Sequence, residues 1–135
     1  MKNTFYILIL IICFSCNYNS EKFVSKTNIL KNSGLYKIEY YKSKKGKAFE
    51  IESQPIFKIE NEKDIRNVIN EIKNAENPEM WKGAGWNIIK LYFNDSIVSL
   101  KTDNYKIGLR NSGEFYSLTK ENFITKRIDE KNRYE

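Results

Sequence analysis

The order of elements legible in this chain predicts an α+β fold: an antiparallel β-sheet of about six short strands, with one main helix packed on one face and a short C-terminal helix. Three observations carry that prediction. The residues ahead of a central stretch alternate apolar and polar with period two, the pattern of half-buried strands. The central stretch repeats its apolar residues at helical spacing. Beyond it, short apolar runs are separated by clusters of Asn, Asp, Ser and Gly, and links that short force antiparallel neighbours.

Leu35 to Tyr41 forms the first strand, with Tyr36, Ile38 and Tyr40 on one face. Lys42 to Lys47, broken by Gly46, makes a hairpin loop. Phe49, Ile51, Ser53, Pro55, Phe57 and Ile59 then share a face. Pro55 cannot donate to a ladder, so this run is either an edge strand or two strands meeting at a bend. Asn61 to Asn77 is a helix, capped by Asn61, with Glu62 and Asp64 in the first turn, where the helix dipole favours negative charge. Ile65, Val68, Ile69, Ile72 and Ala75 form its apolar stripe, and Pro78 ends it. Glu79 to Asn87 is a loop. Four strands follow, at Ile88–Phe93, Ile97–Lys101, Tyr105–Arg110 and Glu114–Leu118. Thr119 caps a brief last helix through Phe123, Ile124 and Ile128, and Asp129 to Glu135 is a polar tail.

Composition removes several chemistries. The chain has 135 residues and no histidine, which excludes Ser-His-Asp and Cys-His catalysis, histidine zinc sites and a histidine pH switch. The two cysteines are Cys13 and Cys16, so the part beyond residue 16 has neither a disulfide nor a thiol nucleophile. Glu50 and Glu52 are the nearest approach to a catalytic carboxylate pair, but their alternation with Phe49 and Ile51 turns them toward water. The chain is therefore read as a non-enzyme with no cofactor and no metal. A net charge of +6 favours anionic partners such as lipid headgroups, glycans or an acidic protein face.

The N-terminal stretch reads as an address. Lys2 supplies a positive n-region, Phe5 to Phe14 is an uncharged apolar run, and Ser15-Cys16 closes it. The run is ten residues long, where a spanning helix needs about twenty. Cys13-Phe14-Ser15-Cys16 resembles the lipobox of bacterial lipoproteins, with Cys13 standing where that family usually has an aliphatic residue and bulky Phe14 at the next position. The resemblance implies that Cys16 takes a diacylglycerol and becomes the first residue of the mature chain, held at a membrane by acyl chains on the extracytoplasmic side of the cell envelope. It divides the chain into a signal peptide at 1–15, a tether at 16–33, a single domain at 34–128 and a polar tail at 129–135. That domain is similar in pattern to small sheet-plus-helix modules of uncharacterised bacterial lipoproteins.

Two stretches are candidates for contact with a partner. Trp81-Lys82-Gly83-Ala84-Gly85-Trp86 brackets a glycine turn with large rings, a composition suited to sugar stacking or protein anchoring. It lacks the Lys-Ser/Thr of a phosphate loop, and Trp86 also suits a core position beside the Ile88 strand. The hairpin tip carries Lys42, Lys44, Lys45 and Lys47, which suit an anionic surface or merely keep a strand edge from pairing. The expected contact residues are Trp81, Trp86, Lys82, Lys44 and Lys45. The expected role is a lipid-anchored binding module with a protein or glycan partner and no nucleic acid. The alternative is an immunity or inhibitor protein against a toxin or a wall-degrading enzyme.

Overall fold

The computed structural model describes residues 34–45, 47, 50–80 and 86–134. They build an α+β fold: a seven-stranded sheet, antiparallel throughout, with two helices on one face. The strands are β1 (Lys37–Tyr41), β2 (Phe57–Ile59), β3 (Glu76–Met80), β4 (Asn87–Tyr92), β5 (Ile97–Thr102), β6 (Lys106–Leu109) and β7 (Glu114–Ser117). The helices are α1 (Glu62–Lys73) and α2 (Phe123–Tyr134). The sheet order is β2-β1-β4-β5-β6-β7-β3, so α1 carries the chain from one edge strand to the opposite one.

Local chemistry explains most of the boundaries. Asn61 caps α1 by accepting from the Lys63 and Asp64 N–H groups at 2.9 and 3.3 Å. Ile65, Val68 and Ile72 bury the apolar stripe against Ile38, Ile89, Leu91 and Leu100 of the sheet. Asn122 caps α2: its Oδ1 accepts from the Ile124 and Thr125 N–H groups, and Thr125 Oγ1 accepts from the Asn122 N–H. Phe123 and Ile124 then enter the same core, with Ile128 packed beside them. Glu71 of α1 accepts from the Phe123 N–H at 2.7 Å, and Arg127 pairs with Asp64 at 2.6 Å, so the two helices lock together at the start of α2.

The structure corrects four sequence expectations. Helix α1 stops at Lys73, with Asn74 as its C-cap, rather than running to Asn77. The residues after it, Glu76–Met80, are a seventh strand paired with β7, where a loop was expected to begin at Glu79. Pro78 sits inside that strand, beside a register shift between Glu76 and Glu79, on the outer edge where its missing N–H costs no ladder bond. The cap of the last helix is Asn122 and not Thr119, and α2 continues through the polar stretch to Tyr134. Arg127 pairs with Glu130 along it, and Lys131 and Arg133 stand in the last turn, where the helix dipole favours cations. The open question at Pro55 is resolved too. Ile51 bridges to Ser43, β2 pairs with β1, and Pro55 lies in the bend between.

Candidate functional site

The second sheet face, turned away from the helices, carries the buried charged side chains of Glu39 and Lys101. Along β1, Ile38 and Tyr40 enter the helix-side core, so Glu39 and Tyr41 must point the other way. Register then sets Lys58, Glu39 and Lys90 side by side across β2, β1 and β4, with Lys37 opposite Tyr92 and Tyr41 opposite Ile88. Glu39 is only 4% exposed. Its Oε2 accepts from the Tyr41 hydroxyl at 2.6 Å and the Tyr92 hydroxyl at 2.5 Å, while Lys37 and Lys58 approach its Oε1 to 3.3 and 3.6 Å. Burial by itself would raise the Glu39 pKa. The hydrogen bonds from Tyr41, Tyr92 and Lys37, with the Lys37 charge, outweigh it and hold the carboxyl at about 2. A carboxylate with both oxygens occupied and so low a pKa is a poor proton acceptor. Its chemistry is that of a charged cross-link between strands.

Further along the same face, Lys101 is buried with its ammonium donating to the Ser112 carbonyl, 4.7 Å from the Phe115 ring centre and 5.6 Å from that of Trp86. Burial lowers its pKa. Trp86 stacks on Phe115 with centroids 4.8 Å apart. Lys101 lies opposite Gly108, where a Cβ would stand 2.4 Å from the Glu114 carbonyl oxygen.

A cleft of about 290 Å³ opens at the end of the sheet, between β1 and the last turns of α2. Tyr40, Asn87 and Asn104 line it, with exposed Lys42 and Lys131 and half-buried Ile56 and Ile128. Asn104 sits in the turn between β5 and β6 at φ +81°, a left-handed conformation that asparagine tolerates better than most residues. Its N–H donates to Thr102 Oγ1 and its carbonyl accepts from Asn122 Nδ2. Its side-chain Oδ1 accepts from the Tyr40 hydroxyl at 2.6 Å and from Asn87 Nδ2 at 3.4 Å. Asn87 Oδ1 in turn accepts from the Ser43 N–H at 3.1 Å. A smaller cavity of about 160 Å³ between the helices is crossed by the Asp64–Arg127 pair.

The sequence-predicted site residues do not converge. Cys16, Trp81 and Lys82 lie outside the described residues. Trp86 is 5% exposed, which corrects its place among the contact residues: its ring covers Phe115. Lys44 and Lys47 pair with Glu50 at 3.5 and 3.2 Å, while Lys45 stands exposed in the turn. The hairpin charge is therefore partly offset within the hairpin itself.

Comparison with protein-family models, curated proteins and solved structures finds no match.

The residues that do gather, Glu39 with Tyr92 and Asn87 with Asn104, were not singled out by sequence reasoning. Asn87 and Asn104 read as loop and turn residues, and the β4–β5 register, which sets Asn87 opposite Thr102, brings them together. Glu39 carried one usable signal, a carboxylate set between Ile38 and Tyr40. Among the described residues no three acidic side chains cluster as a metal site requires, and no helix is long and apolar enough to cross a membrane.

Proposed function

We propose that this chain is a cell-envelope lipoprotein, anchored through acylated Cys16, whose α+β domain is a non-catalytic binding module. The observation that carries the reading is the uncharged run Phe5–Phe14 closed by Ser15-Cys16, too short to span a bilayer and ending in the residue that lipidation requires. Two acyl chains on that cysteine give lasting attachment where one gives only reversible binding. The domain supports the binding half of the reading. Its buried charges, Glu39 and Lys101, are each held by fixed partners in a way that suits a rigid scaffold better than proton transfer.

The test is growth with an alkyne-bearing palmitate analogue, followed by capture and mass spectrometry of the full chain and of Cys16→Ser. Label on the parent, carried by a peptide that begins at Cys16 and lost in the variant, is the expected result. A parent that keeps Met1 to Ser15 and takes up no label overturns the anchor. Crosslinking of the anchored parent in cells then identifies the partner. Recovery of a toxin or a wall-degrading enzyme would move the reading to an immunity protein.

A further inference from the structure

The amides around the cleft at the end of the sheet are biased toward one kind of ligand. Asn104 Oδ1 is occupied by two donors, Tyr40 and Asn87, and Asn87 Oδ1 by the Ser43 N–H. What those two side chains have left is donor capacity: both hydrogens of Asn104 Nδ2 and one of Asn87 Nδ2 have no acceptor among the described residues. Lys42 adds positive charge beside them. A cavity whose lining donates and is cationic selects an anionic acceptor, and it does so without rearrangement because Asn104 is pinned through its N–H, its carbonyl and its Oδ1.

Size and shape narrow the class. A volume of about 290 Å³ is far more than a lone carboxylate fills and stands at the lower end of small-molecule pockets, which start at about 300 Å³. Ile56 and Ile128 present apolar surface of the kind that lies against the C–H face of a pyranose ring. Asn132, also lining the cleft, has a carboxamide able both to give and to accept a hydrogen bond, as ring hydroxyls need.

We propose that this cleft is a binding site for a single carboxylate-bearing sugar ring, such as a uronic acid unit of an envelope glycan. The carboxylate lies against the Asn104 and Asn87 amides and Lys42, and the ring lies between Ile56 and Ile128. This assignment rests on the binding-module reading and names its site and ligand class.

The experiment is an NMR titration of the full ¹⁵N-labelled chain in detergent micelles with glucuronate, glucose and acetate at matched ionic strength. Glucuronate is expected to move the side-chain amides of Asn87 and Asn104 saturably, and glucose and acetate to bind at least about tenfold more weakly, each lacking half of the contacts. Asn104→Gly keeps the left-handed backbone accessible and removes the amide, and is expected to weaken glucuronate by about tenfold. Lys42→Ala, on an exposed side chain that folding does not depend on, is expected to weaken it severalfold with the amide shifts otherwise retained.

Several outcomes overturn the proposal: no saturable shift, glucose or acetate matching glucuronate, parent-like affinity in both variants, or shifts confined to Lys44, Lys45 and Lys47. The anchored-module reading fails by a different route, since an unlabelled Cys16 leaves this titration fully able to decide the cleft.

Discussion

Tyr92 of β4 donates its hydroxyl hydrogen to the buried carboxylate of Glu39 on β1 at 2.5 Å, tying two neighbouring strands through their side chains as well as their backbones. The same oxygen accepts from Tyr41, and Lys37 and Lys58 hold the other.

That arrangement makes stability sensitive to acid. The Glu39 carboxyl ionises at about 2 in the folded chain against an ordinary value of 4.5. A group whose pKa is depressed by folding contributes stability that is complete above its ordinary value and lost as pH falls toward the folded one. The unfolding free energy should therefore decline between about pH 5 and pH 2. Glu39→Gln should show a shallower decline. At neutral pH it should also be less stable by about 1–3 kcal/mol, because the two lysines and two tyrosines lose a charged acceptor. Urea denaturation of both proteins across that range checks the slope and the offset together.

Trp86→Ala should cost about 3–5 kcal/mol, the usual range for deleting a buried aromatic side chain. Its ring is 5% exposed and stacked on Phe115 at 4.8 Å. Thermal or chemical denaturation measures the loss directly. A binding defect in this variant would report unfolding, so Trp81→Ala alone is the informative change in that loop.

Gly108→Ala should destabilise by about 1–3 kcal/mol, the cost of forcing extra volume into a packed site. The new Cβ would fall 2.4 Å from the Glu114 carbonyl oxygen, a backbone atom of the adjoining strand β7, so the β6–β7 pairing itself has to shift. Hydrogen exchange of the β6 and β7 amides should accelerate ahead of those in β1 and β4.

Lys101→Met should leave the melting temperature equal to the parent's or raise it. Burial depresses the Lys101 pKa, so at neutral pH its charge opposes folding. Methionine keeps the length of the chain over Trp86 and Phe115, and the half-exposed Ser112 carbonyl can turn to water. A melting temperature lower by many degrees would mean that the ammonium–carbonyl contact outweighs the desolvation of the charge.

Short-range chemistry was readable from the chain because it acts within a few residues. Asn61, Glu62, Asp64 and the Ile65–Val68–Ile72 stripe specify α1 through cap, dipole and period, and each stands in the structure as those rules require. The β4–β7 meander was readable for the same reason, since links of three or four residues leave no choice but antiparallel neighbours. The +6 charge and the absence of histidine likewise needed no coordinates.

What only the tertiary structure decided depends on residues far apart in sequence. Glu76–Met80 has no strand pattern of its own and becomes one because β7 offers an unpaired edge, a gain that outweighs weak local preference and a proline. Asp129 to Tyr134 looked like a fraying tail, yet these residues extend a helix anchored at its start by Asn122, Glu71 and Asp64. Glu39 and Tyr92 are 53 residues apart, and Tyr40 and Asn104 are 64 apart. Period and propensity state which face a side chain takes. They are silent on which side chain of another strand it meets there, because that follows from register and sheet order, which the whole chain sets at once.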